Sequence, residues 1–256
     1  MEFLNLPKRT KKKRTYGLTS IVDFGTSVGE LKNILKDYSD FIDIAKLGIG
    51  TAYLTPNLNE KISLYKSYNI IPYCGGTLFE KCYYENKLIK YKQFLKQLDI
   101  HWVEVSNGTL NISLEERLHI INQLKKDFHV IAEVGSKDAK KEMPIYEWKK
   151  EVQLLLDAGC DYVITEGRDS GTSGIYTTDG NVKSNLIREL ITDIDYKKII
   201  FEAPSPKQQM YFINEIGPNV NLGNVKIHDC LLLETERAGL RSETFFLEDS
   251  SCKLPL

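Results

Sequence analysis

Short runs of Val, Ile, Leu and Phe recur along the chain, each closed by a turn rich in Gly, Asn, Ser or Pro. Eight of them read as strands: Leu18–Gly25 (LTSIVDFG), Phe41–Thr51 (FIDIAKLGIGT), Ile70–Glu80 (IIPYCGGTLFE), His101–Thr109 (HWVEVSNGT), His129–Asp138 (HVIAEVGSKD), Cys160–Gly171 (CDYVITEGRDSG), Lys198–Pro206 (KIIFEAPSP) and Asn219–Val225 (NVNLGNV). Between them lie stretches with the three-to-four-residue apolar period of amphipathic helices, such as VGELKNILKDY, SLEERLHIINQLKKD and WKKEVQLLLDAG. Gly159 reads as the stop of the last of these.

Strand and helix alternate throughout, which predicts parallel strands joined by helical crossovers. Eight such units in 256 residues predict an α/β fold, a single (β/α)8 TIM barrel. A doubly wound open sheet is the alternative, and no Gly-rich dinucleotide loop follows the first strand to support it. The expected organisation is a flexible basic arm over 1–16, one catalytic barrel over 17–247 and a tail over 248–256.

Composition narrows the class. The chain is 42% hydrophobic and 27% charged, with a net charge of -1. That argues against a nucleic-acid or anionic-membrane binder, which needs a basic face. No apolar run approaches the roughly 18 residues that span a bilayer. The run Lys8–Arg14 (KRTKKKR) reads as a solvated arm. Five scattered cysteines show neither CxxC nor zinc spacing, so reduced thiols in a cytoplasm are expected.

The strand ends carry the chemistry. Strand after strand finishes on an ionisable or amide side chain close to a loop residue such as glycine: Asp23, Lys46, Glu104, Glu133 with Lys137, Glu166 with Arg168, Glu202, and Asn221. In a barrel these ends meet at the C-terminal mouth, where active sites form. One such charge can simply face water where a loop begins; a recurring set argues for a site that handles an anion and a divalent metal. The turns Cys74–Thr77 and Ser170–Gly174 offer backbone N–H groups to oxyanions, or are turn geometry alone. Ser113 with Glu116 reads as a helix N-cap. His101, His119, His129 and His228 show no ligand spacing.

The segments FIDIAKLGIGT, CGGTLFEK, VEVSNGT, ISLEER, EVGSKD, ITEGRDSGTSGI, IFEAP, IGPNVNLGNV and LETERAGLRSETF resemble the phosphosulfolactate synthases, in order, from about Leu18 to Phe245. The resemblance implies a (β/α)8 barrel that adds sulfite to phosphoenolpyruvate with Mg2+, giving (2R)-2-O-phospho-3-sulfolactate. Phe24, Ile49, Asn107 and Gly223 depart from the archaeal pattern.

The implied roles follow. Glu104, Glu133 and Glu166 are the expected metal ligands, because adjacent parallel strands bring their ends within about 5 Å per step. Glu166 and Lys137 are the expected catalytic residues, with Lys137 the general acid, its pKa lowered by burial and neighbouring cations. Lys46, Gly75, Gly76, Arg168 and Asn221 are the expected substrate contacts. Lys140 and Lys141 are expected at the surface. Partners are the two small substrates and, for a barrel of this size, further copies of the chain. The competing readings are a barrel lyase on another phosphorylated acid and a non-enzymatic relative of the heat-stress-associated kind.

Overall fold

The alternation resolves into a closed barrel of eight parallel strands in sequence order. They are β1 (Thr19–Asp23), β2 (Ile44–Leu47), β3 (Ile71–Cys74), β4 (Trp102–Val105), β5 (His129–Val134), β6 (Tyr162–Thr165), β7 (Ile199–Glu202) and β8 (Leu222–Lys226). The computed structural model describes residues 3–137 and 142–247. Lys140, Lys141 and the segment 248–256 lie outside the described residues.

Two apolar layers follow from the period-two geometry of strands. Ala45, Val103, Val105, Ala132, Val134, Val163, Phe201 and Leu222 face outward and pack against the helices in one large core. Ile44, Tyr73, Ile131, Ile164 and Ile200 face inward and fill the barrel centre with Leu18 and Tyr162. The fill makes the barrel a packed core with an opening only above it.

Helix ends follow local chemistry. The Ser113 side chain accepts from the Glu116 N–H at 3.2 Å and starts the helix Leu114–Leu124. The helix Ile145–Asp157 stops where Gly159 adopts φ +101°.

The basic arm is not free. Arg9 donates to Glu234 at 2.8 Å and to the Pro218 carbonyl at 3.0 Å. Lys12 donates to the Ile42 carbonyl at 2.8 Å, and Arg14 pairs with Asp43 at 3.2 Å. Burial pushes the Asp43 carboxyl up, opposed by Arg14, the Thr19 N–H, Lys12 and Arg237. The segment expected to be a flexible arm is held across the N-terminal end of the barrel, because carboxylates and carbonyls there need its cations.

Candidate active site at the barrel mouth

On five strands an inward apolar residue is followed two positions later by an ionisable one on the same face. Ile44 leads to Lys46, Trp102 to Glu104, Ile131 to Glu133, Ile164 to Glu166, and Ile200 to Glu202. The charges therefore form a second tier directly above the apolar plug. They line a cavity of about 240 Å³ together with Gly75, Gly76, Lys137 and Arg168.

The tier is deeply buried: Glu104, Glu133 and Glu166 are each 1% exposed and Glu202 2%. Lys46 Nζ lies 3.0 Å from Glu202, 3.6 Å from Glu104 and 4.0 Å from Glu133. Lys137 Nζ lies 3.9 Å from Glu133 Oε1 and 3.8 Å from Glu166 Oε2. The Ser106 hydroxyl donates to Glu133 at 2.8 Å, and the Gly76 N–H donates to Glu104 Oε1 at 2.8 Å. Glu104 Oε2 and Glu166 Oε2 are buried, and among the described residues no donor lies within hydrogen-bond distance of either.

These contacts separate the carboxyl groups. Burial pushes Glu104 up to about 7, helped by Glu133 and Glu202 and opposed by Lys46. Burial also pushes Glu133 up, but Lys137, Lys46 and hydrogen bonds from Glu166 and Ser106 outweigh it and hold the carboxyl at about 2. Burial and the Glu133 charge raise Glu166 well above the usual carboxylate range. The Glu133 and Glu166 carboxyl groups thus lie hydrogen-bonded to each other, pushed in opposite directions.

Three expectations need correction. Asn221 is not at the mouth. Its Oδ1 accepts from the Leu18 N–H at 3.0 Å, and its Nδ2 donates to the Lys197 and Ile199 carbonyls at 2.9 Å. It ties β1 and β7 together at the opposite end of the barrel, a structural task. The Gly75 and Gly76 N–H groups are not open to substrate, because Gly75 donates to the Leu47 carbonyl at 3.0 Å and Gly76 to Glu104. Lys137 is not made more acidic: burial lowers it, but Glu133 and Glu166 outweigh burial and raise it.

Lys46, Glu104, Glu133, Lys137, Glu166 and Arg168 do converge. The Arg168 guanidinium makes no ion pair with a described residue, while its backbone N–H donates to Glu166 Oε1 at 2.6 Å. Lys46 is spent on three carboxylates. Asp23 turns outward instead, paired with Lys61 at 2.9 Å and bonded by the Tyr65 hydroxyl at 2.8 Å. Glu202 and Asn224 complete the lining. Glu202 was legible from the two-residue step after Ile200; Asn224 was not, for reasons of strand geometry given below.

Hard oxygen donors, two of them lacking partners, suit a divalent ion. Four carboxylates face two ammonium groups in the tier, leaving negative charge for it to balance. Among the described residues no three His, Cys, Asp or Glu side chains enclose a metal position by themselves. The fit is therefore to an open site, in which one or two carboxylates would hold a divalent ion and water or other oxygens would complete the shell.

A closed parallel barrel with a buried charged tier at its C-terminal mouth defines a (β/α)8-barrel enzyme. The family model for (2R)-phospho-3-sulfolactate synthase (ComA) matches residues 7–243. The chain is 42% identical over 247 residues to the phosphosulfolactate synthase of Bacillus subtilis (strain 168), covering 95% of this chain and 98% of that protein. It is 41% identical over 235 residues to the phosphosulfolactate synthase of Methanocaldococcus jannaschii, covering 90% and 94%. The chain belongs to the phosphosulfolactate synthase family. Among solved structures, 3-keto-L-gulonate-6-phosphate decarboxylase from Vibrio cholerae aligns at a TM-score of 0.53 over 91% of this chain and 99% of that one. At 11% identity that likeness is one of fold alone.

Proposed function

We propose that the chain catalyses the Mg2+-dependent addition of sulfite to phosphoenolpyruvate, giving (2R)-2-O-phospho-3-sulfolactate, a carbon–sulfur lyase reaction. The observation that carries this reading is the buried tier of carboxylates and ammonium groups, with Glu104 Oε2 and Glu166 Oε2 left without donors, in a chain of this family.

Attack of sulfite on carbon 3 moves negative charge onto the substrate carboxylate, so the site must stabilise charge there. One or two of Glu104, Glu133 and Glu166 would hold Mg2+, which would supply Lewis acidity to that carboxylate. The chain's own residues do the rest. Lys46 keeps Glu104, Glu133 and Glu202 from repelling one another and from repelling the incoming anions. Arg168, with no ion-pair partner among the described residues, offers a bidentate contact to an arriving oxyanion. Lys137, held between Glu133 and Glu166, is placed to deliver a proton to carbon 2 from one face. Because those carboxylates raise it, Lys137 is charged at neutral pH. Glu166, whose carboxyl burial pushes up, is the second donor the geometry allows.

The test is sulfite plus phosphoenolpyruvate with and without Mg2+, with the product identified by mass spectrometry. Sulfite incorporation that needs Mg2+ supports the reading; consumption of phosphoenolpyruvate without sulfite points to another barrel lyase and overturns it. Lys137→Ala should abolish turnover by at least about 100-fold, the low end for a general acid, while phosphoenolpyruvate still binds. If Glu166 is the donor instead, Lys137→Ala retains turnover and Glu166→Gln loses it.

A further inference from the structure

Among the described residues, six other than glycine have positive φ. Asn69, Asn86 and Asp99 each sit just past a helix end, where Asn and Asp adopt the left-handed turn at little cost. The other three, Ile49, Arg168 and Asn224, all line the mouth cavity. Backbone held in a sparsely populated region clusters at functional sites because the surroundings must enforce it.

Asn224 stands apart because it lies inside a strand. Between the pairs Thr19–Leu222 and Ile21–Val225, β1 advances by two residues while β8 advances by three. The extra residue is a β-bulge, a device that re-aims a side chain. Asn224, at φ +53°, is the residue so turned. It is only 8% exposed, it fronts the cavity, and no described residue hydrogen-bonds its carboxamide. The carboxamide is open to the cavity with no partner among the described residues, and a left-handed asparagine inside a strand is unfavourable. A ligand in the cavity would satisfy the amide and account for both.

The distribution of charge says which part of the ligand. The four buried glutamates rise from β4, at the end of β6, and from β5 and β7, forming an acidic arc. The remaining arc, from β8 through β1 to β3, presents Asn224, Val22, Lys46 and the Gly75–Thr77 turn to the cavity. A cation on the acidic arc would take the substrate carboxylate, so the phosphate is left to the other arc. The geometry points to Asn224 as a substrate-binding residue whose Nδ2–H donates to the phosphate of phosphoenolpyruvate. This rests on the function proposed above.

Asn224→Gly keeps the bulge, since glycine takes the left-handed backbone freely, but removes the carboxamide. Asn224→Asp keeps shape and backbone preference but sets a carboxylate against the phosphate. Asn224→Gly should fold with an unchanged or higher Tm and raise KM for phosphoenolpyruvate about 10- to 100-fold, the value of one hydrogen bond to an anion. KM for sulfite should stay within about two-fold, and Asn224→Asp should raise KM for phosphoenolpyruvate further. Inorganic phosphate, used as a competitive inhibitor, should weaken by the same factor as KM rises.

Folded Asn224→Gly protein with an unaltered KM would reduce Asn224 to a bulge residue and overturn the proposal. A raised KM with unchanged phosphate inhibition would overturn the assignment to the phosphate. Absence of sulfite addition by the unaltered protein would instead sink the proposed function. In that case calorimetric binding of inorganic phosphate to unaltered and Asn224→Gly protein still decides the contact: equal affinities overturn it.

Discussion

Single atoms decide how the mouth is organised. Glu104 can accept the Gly76 N–H only because residue 76 has no side chain: a Cβ there would lie 2.3 Å from Ser106 Cβ and 2.4 Å from Glu104 Oε1. Both neighbours are tethered, Ser106 to Glu133 and Glu104 to the Gly76 N–H, so making room breaks these bonds. Gly76→Ala should therefore displace Glu104 and Ser106 together. Stability should fall by about 1–3 kcal/mol, as for other overpacked sites, and the Mg2+ concentration needed for half-maximal activity should rise. Thermal unfolding and a metal titration of the same variant check both. Gly108 does similar service, with Lys137 Cε where its Cβ would stand, 2.7 Å away.

At the scale of elements, helices hold charges that the barrel interior does not use. Asp23 ends β1 yet points to Lys61 and Tyr65 on the helix Leu58–Ser67, so it fastens a helix to the barrel wall. The helix Cys230–Arg237 holds Glu236, fully buried, with Oε1 bonded to Arg241 at 2.8 Å and Oε2 without a donor. Burial pushes its carboxyl up to about 7 despite Arg241. Its folded pKa thus exceeds the value near 4.5 of an exposed glutamate. The group's contribution is most favourable below that lower value and is lost as pH rises through about 7. Glu236→Gln should remove this part of the pH dependence. Denaturant unfolding at pH 5 and pH 8 should show a smaller stability difference for the variant than for the unaltered protein.

For the whole molecule, the two ends of the barrel divide the labour. The mouth concentrates unpartnered carboxyl oxygens and strained backbone, whereas the opposite end is closed by arginines paired with a carboxylate or bonded to backbone carbonyls. Arg237, fully buried there, donates to the carbonyls of Pro218, Val220 and Leu18. Arg14 reaches Asp43 from the N-terminal segment. Removing one member of a buried pair strands the other, at a cost of about 3–5 kcal/mol. Arg14→Ala should lose stability on that scale and keep kcat and KM within about two-fold, since the chemistry is at the far end. A drop in kcat without a drop in stability would contradict this division. Among the described residues no helix is long and apolar enough to cross a membrane.

The sequence by itself determined the barrel and most of its site. The alternation of apolar runs and helical periods, and the ionisable residue two positions beyond the inward Ile44, Trp102, Ile131, Ile164 and Ile200, are local patterns, and strand geometry maps them directly onto one face. Tertiary structure alone decided the rest. The bulge in β8 shifts the inward register by one residue, so Asn224 reaches the mouth while Asn221 stays at the base, and a one-residue slip leaves no trace in hydrophobicity. The basic segment reads as solvated until Asp43, Glu234 and the strand-end carbonyls are placed beside it. The Lys137 pKa depends on distances to Glu133 and Glu166, residues from two different strands whose approach no single stretch of chain encodes.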